Sequence, residues 1–195
     1  MISDSCFGNQ PVLEGERVRL EPLGLEHLEG AMEMLSDPEG ARMTATSRTF
    51  EEPFVREWLA TRQDHDDRAD YAIVRRSDGS YLGEVVLNDL DTDDACVNYR
   101  IGLRGPGVYG QGYGTEATGL LLDYAFDEVG LHRVELEVYA FNPRAQRSYE
   151  KCGFVREGVR RKALYWDDEW HDVIVMGILA TDPRPAGQGA RAGAR

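Results

Sequence analysis

Gly110-Gln111-Gly112-Tyr113-Gly114-Thr115-Glu116-Ala117 sets three alternating glycines at the start of an apolar helical pattern. Glycine removes the side chains that would hold a ligand off the backbone, and a helix start presents N–H groups with no intrahelical partner. Together they make an anion cradle suited to a phosphate or pyrophosphate. A second cluster follows one helix and one strand later. It reads Asn142-Pro143-Arg144-Ala145-Gln146-Arg147-Ser148-Tyr149-Glu150-Lys151-Cys152-Gly153-Phe154. Asn142 is placed to cap a helix, Pro143 to occupy its first turn and Gly153 to end it.

The elements around these clusters are legible from periodicity. Arg17 to Leu23 alternates like a short strand that Pro22 helps to end, and Leu25, Leu28, Ala31, Met32 and Leu35 then recur at helical spacing until Ser36-Asp37-Pro38. A second helix is expected from about Glu52 to Gln63, with Phe54, Val55, Trp58 and Leu59 on its apolar face. Tyr71 to Arg76 and Tyr81 to Asn88 form a hairpin about Asp78-Gly79. Asp89 to Asp94 is a solvated acidic turn, because it lacks the later glycine and glutamate of a calcium loop. Ala95 to Leu103 completes the meander.

The helix that the glycine loop opens runs from Thr115 to about Val129, with Gly130 at its end. Val134, Leu136 and Val138 alternate with Glu135, Glu137 and Tyr139 as a strand. Phe154 to Leu164 and Val173 to Leu179 are expected to close the sheet as an antiparallel pair. The result is an α/β (α+β) domain over 16–180 with a mixed sheet of about seven strands flanked by four helices. Residues 1–15 are expected to be a loose leader, and the Pro-, Gly-, Ala- and Arg-rich residues 181–195 a disordered tail.

The glycine loop admits two ligands. Gly112, Gly114 and Ala117 match the GxGxxA form of the dinucleotide fingerprint, with Glu135 or Glu137 about 20 residues on. Against it, Arg104 to Gln111 separates the loop from its strand, and the preceding strands form an antiparallel meander. The other ligand is coenzyme A. Tyr109-Gly110-Gln111-Gly112-Tyr113-Gly114 resembles the coenzyme A pyrophosphate loop of the GNAT superfamily of N-acetyltransferases, (Gln/Arg)-x-x-Gly-x-(Gly/Ala), with Tyr109 in the first position. Asn142 to Phe154 resembles the family's Asn-x-x-Ala-x-x-x-Tyr-x-x-x-Gly-Phe. Matching features run from about Arg17 to Leu179. Gly112 to Ala117 and the ending Trp170-His171-Asp172-Val173-Ile174-Val175-Met176 are nearest the RimJ/RimL-type (ribosomal-protein) branch, and spermidine N-acetyltransferases have similar endings.

The resemblance implies a GNAT fold, acetyl-coenzyme A as co-substrate and a set of site residues. Gly110, Gln111, Gly112, Tyr113, Gly114 and Thr115 would hold the pyrophosphate. Free backbone N–H groups at Ile101, Gly102 and Leu103 would hold the pantetheine arm and the thioester oxygen. Asn142 would hydrogen-bond the pantetheine beside Ala145. Tyr149 would protonate the departing sulfur, a role that suits a phenol whose unperturbed pKa of about 10 keeps its proton at neutral pH. Taken alone, Tyr149 is one more residue of an amphipathic helix; its place between Asn142 and Gly153 is what marks it.

The base is open at this stage. Many members carry a glutamate on the strand before the loop, where the best register puts Asn98, and an amide cannot take the proton. A water relay to a carboxylate such as Glu84, an amine that arrives neutral, and a coenzyme A-binding module with weak activity all remain. The resemblance implies a primary amine as acceptor, either a protein N-terminus or a small amine such as a polyamine or an aminoglycoside-like compound. Nothing in the motifs separates acetyl from a longer acyl donor.

Composition sets the outer bounds. The 195 residues carry 35 Asp and Glu against 22 Lys and Arg, a net charge of −13, which argues against nucleic acid as a partner and suits cationic substrates. Solubility alone also favours acidic surfaces. Cys6, Cys96 and Cys152 are scattered and odd in number, so neither a disulfide framework nor a metal site is expected and a cytoplasmic setting fits. No run approaches the ~20 apolar residues of a membrane span, and no signal peptide is apparent. Family members often dimerise, so a homodimer is the carried-over expectation. His27 and His65 read as surface residues, His132 as a helix-end cap and Cys152 as helix packing. His171, beside the closing hairpin, is a candidate substrate contact. Arg160-Arg161-Lys162 read as exposed strand charges, and Trp58, Trp166 and Trp170 as core or pocket wall.

Overall fold

The computed structural model describes residues 2–185. Its strands are β1 (Leu13–Glu14), β2 (Val18–Pro22), β3 (Ala69–Arg75), β4 (Tyr81–Asp91), β5 (Cys96–Leu103), β6 (Arg133–Tyr139), β7 (Val155–Trp166) and β8 (Glu169–Leu179). The helices are α1 (Leu28–Leu35), α2 (Pro38–Met43), α3 (Glu52–Ala60), α4 (Tyr113–Asp123) and α5 (Pro143–Lys151). The strands form one sheet in the order β1-β2-β3-β4-β5-β6-β8-β7. Every neighbouring pair is antiparallel except β5 and β6, which run parallel.

β3 lies mid-sheet with both faces covered, so Ala69 to Val74 are all buried. Period-two alternation sends Tyr71 and Ile73, with Val85, Leu87, Val97 and Tyr99 of the next strands, into the main core with Ala117 and Leu121 of α4. It sends Ala72 and Val74 to the other face, where they pack with Leu23, Ala31, Val55 and Leu59 from the α1 and α3 side.

The parallel pairing of β5 and β6 is short. It covers Cys96↔Arg133, Val97↔Val134 and Asn98↔Glu135 and stops. β5 continues along β4 to Leu103, and β6 continues along β8 to Tyr139. The two middle strands therefore part, and the sheet opens between them.

The structure departs from the expected outline in four places. The sheet has eight strands, the extra one being β1 inside the supposed leader. That segment is docked: Phe7 is fully buried, and its N–H donates to Asp66 O. Among the described residues there are five α-helices, because Pro38 starts one as well as stopping one. It occupies the first turn of α2, where its missing N–H costs nothing, and Asp37 caps that turn by accepting from Gly40 N at 2.8 Å. At the other end Arg184 pairs with Asp123 and Asp127 of the α4 segment, so the described start of the tail is anchored; residues 186–195 lie outside the described residues. Finally, Trp170 is exposed at the β7–β8 hairpin and packs against Tyr165 in a tilted pair with ring centres 5.1 Å apart, so it belongs to no core.

Candidate active site

Past Asn98 the β5 edge that faces β6 has no ladder partner. Its peptide groups face a cleft of about 1400 Å³ lined by Ile101, Gly102 and Leu103. Unpaired backbone groups need a partner, so this edge is built to take a ligand or water. The neighbouring strand allows the close approach. Gly83, at φ 152°, pairs with Leu103, and a Cβ on it would lie 2.1 Å from Gly102 O.

The glycine loop closes one end of the cleft. Gly110 (φ 74°) and Gly112 (φ 85°) adopt left-handed backbone. Gly112 caps α4 and has no side chain to satisfy its first-turn N–H groups, so these stay available to an anion. Gly110, Gly112, Gly114 and Thr115 all line the cleft. Gln111 and Tyr113 do not. The Gln111 amide folds back to donate to Gly107 O at 2.5 Å, and Tyr113 lies beneath the Arg17 and Arg75 guanidiniums, 4.4 and 5.4 Å from its ring centre. These two brace the loop from outside. Arg17 completes the brace by donating to Gln111 O at 2.6 Å.

α5 forms the opposite wall with Asn142, Ala145 and Tyr149. Asn142 is buried, and its Oδ1 accepts from Ala145 N at 3.1 Å, so the cap consumes its acceptor and leaves its NH₂ as the free group. Tyr149 is buried edge-on between Tyr99 and Phe154, with ring centres 6.0 and 5.9 Å away. Burial, with the Cys152 thiol beside it, raises its phenol well above the ordinary value. Tyr149 thus holds its proton at any physiological pH, as a donor to a departing thiolate must.

α2 roofs the cleft, with Gly40, Ala41, Met43 and Thr44 on its lining. Two polar ties hold it there. Tyr109 donates to Asp37 Oδ2 at 3.0 Å, and Arg144 donates to Glu39 Oε1 at 2.8 Å. The Arg144 guanidinium also sits 4.0 Å from the Tyr109 ring centre, so loop, roof and α5 meet at one point.

Residues 17–155 match the family model described as Acetyltransferase (GNAT) domain. The chain belongs to the GNAT acetyltransferase family. A Bacillus subtilis protein named as a probable N-acetyltransferase, YjcK, is 34% identical over 124 residues, 62% of this chain and 67% of the relative. The spermidine N(1)-acetyltransferase of Vibrio cholerae is 30% identical over 134 residues, 67% of this chain and 77% of the relative. The structure of the Vibrio cholerae spermidine N-acetyltransferase in complex with CoA and spermine superposes with a TM-score of 0.77 at 22% identity, over 85% of this chain and 96% of that one, a likeness of fold. This GNAT domain is therefore an acetyl-coenzyme A-dependent acyltransferase.

The lining of this acetyltransferase includes residues that motif reading passed over. Arg147, Ser148 and Lys151 lie on the cleft face of α5 with Arg144. Their i, i+3, i+4, i+7 spacing was a visible signal. They give a net-acidic chain one basic wall, next to the glycine loop, where a ligand with several phosphates would lie. Asp89, Asp91, Asp94, Glu135 and Glu137 line the rest of the same cleft.

The remaining candidates separate clearly. Asn98 donates to Asn88 Oδ1 at 3.0 Å, and Asn88 donates to Asp89 Oδ2 at 2.8 Å, so its amide is spent in a ladder. Glu84 lines the cleft, and burial pushes its carboxyl up to about 7. Cys152 is buried helix packing; its thiol donates to Thr115 O at 3.6 Å and is pushed up to about 11 by burial. His132 lines the cleft near the β6 start. His171 packs edge-on against Phe141 at 4.9 Å, with Nε2 3.1 Å from Trp166 O, outside the cleft. His27 is buried rather than on the surface. No helix among the described residues is long and apolar enough to cross a membrane.

Proposed function

We propose that this acetyltransferase moves an acetyl group from acetyl-coenzyme A to a primary amine by direct attack, with Tyr149 as the general acid. The observation that carries this reading is the cleft between β5 and β6, with the glycine loop at one end and Tyr149 on its wall. The glycine loop and basic α5 face suit the phosphates. The unpaired β5 edge suits the amide-bearing pantetheine arm and the thioester oxygen, where donors aimed at a developing oxyanion count most. The Asn142 NH₂ adds a donor along that path. The acceptor is a small cationic amine of the polyamine kind in preference to a protein N-terminus: the acidic lining suits more than one ammonium group, and a spermidine N(1)-acetyltransferase is among the relatives. Within the family, the Gly112 to Ala117 sequence and the ending Trp170 to Met176 support the RimJ/RimL-type branch. Three free cysteines support a cytoplasmic setting, and the exposed edge strand β7 supports pairing as a homodimer.

Tyr149→Phe tests the chemistry. It keeps the ring packing and removes only the proton donor. Turnover of acetyl-coenzyme A with spermidine is expected to fall roughly 100-fold, with acetyl-coenzyme A affinity held within twofold. An unchanged rate removes Tyr149 from the mechanism. Acetyl-coenzyme A that fails to raise the melting temperature of the wild-type protein removes the whole reading, since a specific ligand must stabilise the folded state.

A further inference from the structure

Alternation along β5 gives its two faces different equipment. Val97 and Tyr99 turn toward the α4 core, where Tyr99 meets Tyr149 edge-on. Asn98, Arg100 and Gly102 turn to the other face, where β4 pairs Asn88, Val86 and Glu84 against them. Gly102 lies on the splayed part of the strand and has no side chain. A Cβ built there would meet Met34 of α1 at 3.4 Å and Glu84 Cγ at 4.0 Å. The slot beside Gly102 is therefore walled by one thioether and one carboxylic acid.

Glu84 is the titratable side chain at that slot. It is half-buried, opens onto the cleft, and has no hydrogen-bond donor on its carboxylate among the described residues. The charges around it come from each element packed against it. Arg100 on β5 faces it across the strand pair, Asp70 lies on β3 with Arg68 just before it, and Arg62 follows α3; α1 contributes the neutral Met34. Two of the cations are committed elsewhere. Arg68 binds Asp70 through both nitrogens at 2.6 and 2.7 Å, and Arg62 Nε donates to Trp58 O at 3.0 Å. Glu84 is a carboxylate with a free face on the cleft and no committed partner.

We propose that Glu84 is the general base of the transfer, receiving a proton from the acceptor amine on the face of β5 opposite to Tyr149. This rests on the acetyl-transfer reading. The amine arrives as an ammonium. Its first proton passes to the Glu84 carboxylate, freeing the lone pair. That pair forms the C–N bond as the carbonyl π pair moves onto oxygen. The oxygen pair then returns, the C–S bond breaks, and the sulfur takes the Tyr149 proton. The surplus proton on the new amide nitrogen passes to the tyrosinate, and Glu84 releases its own to solvent. The sum is an amide, free coenzyme A and one proton. Nitrogen thus bonds to the tetrahedral carbon from the Glu84 face of the strand and sulfur leaves toward the Tyr149 face, which keeps base and acid apart.

The test compares wild type, Glu84→Gln and Glu84→Asp from pH 5.5 to 9.5, with acetyl-coenzyme A and three acceptors: spermidine, butylamine and a short peptide with a free N-terminus. Acetyl-coenzyme A binding is measured separately by melting shift. Glu84→Gln is expected to lose roughly 100-fold in kcat/KM at pH 7 on the best acceptor while binding acetyl-coenzyme A as wild type does. The acid limb of the wild-type profile, centred near 7, should vanish in Glu84→Gln, and its rate should climb as pH approaches the amine's own pKa. Glu84→Asp, which keeps the charge and shortens the reach, should fall between the two, and carries the comparison if Glu84→Gln fails to fold. A Glu84→Gln enzyme within threefold of wild type that keeps the acid limb overturns the proposal. So does a rate loss that high pH cannot recover, because that marks a structural role. A wild-type protein that binds acetyl-coenzyme A but acetylates none of the three, or that does not bind it, overturns the transfer reading and this one with it.

Discussion

Tyr149 and Glu84 are adjusted by the same force to opposite ends. Burial disfavours the charged form of each, so the phenol keeps its proton firmly and the carboxyl is brought into the range where it gains and loses one near neutrality. For Glu84 this carries a cost in stability. Its folded-state value, about 7, lies above the ordinary 4.5. The folded protein therefore binds that proton more tightly than the unfolded chain does. The associated stability is fully present below the ordinary value and is lost as pH rises through about 7. Glu84→Gln never ionises, so it escapes the loss. Its melting temperature should match wild type at pH 5 and exceed it by about 3 °C or more at pH 8.5. Thermal melts at the two pH values check this. A difference that does not change with pH would mean that the Glu84 carboxylate is well solvated. The sequence offers Glu84 only as the end of a water relay, one of three open readings of the base, because a one-strand register does not show which carboxylate reaches the cleft. Asn98 drew attention because it sits on the strand before the loop, but its amide is tied to Asn88, and the carboxylate that faces Gly102 comes from the strand before.

The element that most changes the site is α2. The sequence reads Ser36-Asp37-Pro38 as a stop, which it is for α1, but the same Asp-Pro pair is also a cap and a first turn. A six-residue helix has too few turns to announce itself by periodicity, so only its packing makes it visible. Asp37 Oδ2 accepts from both Gly40 N and the Tyr109 hydroxyl, so the cap of the roof and its tie to the glycine loop share one oxygen. Tyr109→Phe removes the tie and leaves the cap. One hydrogen bond of this kind is worth about 1 kcal/mol, so amides over residues 40–46 should exchange about fivefold faster in hydrogen exchange, with the core strands unaffected. Equal protection in the two proteins would show that Arg144 and Glu39 alone hold the roof. The long elements were easier to read. β6 alternates cleanly, α5 carries its cap, its proline and its terminal glycine, and the helical run that continues α4 through a π-helical turn over Tyr124–Glu128 stops before Gly130, which is left-handed at φ 82°.

Across the whole molecule, charge is divided rather than merely acidic. A chain of net charge −13 repels a ligand with several phosphates unless the approach is locally basic. Arg147 and Lys151 on the open face of α5 provide that approach. Replacing both by alanine should raise the KM for acetyl-coenzyme A roughly 3- to 10-fold at low salt, within the range of exposed charge contacts, and leave kcat within twofold. The difference should shrink as ionic strength rises, because exposed charges are screened within about 10 Å at 0.1 M. A salt-independent change in KM would point to lost packing instead. The glycine loop, the capped helix with its tyrosine and most strands were legible because each depends on neighbouring residues: left-handed glycine, a cap three residues from its partner, a period of two or 3.6. The parting of β5 from β6, the docking of Phe7 from the expected leader into the core, and the meeting of Glu84 with Gly102 were not. Each joins segments far apart in the chain, and cross-strand register is set by how the whole sheet pairs and packs, which no local run of residues encodes. The amino-acid order alone therefore singled out the glycine loop and Tyr149 as candidates; the assembled sheet supplied the cleft between them and brought Glu84 across the strand from Gly102.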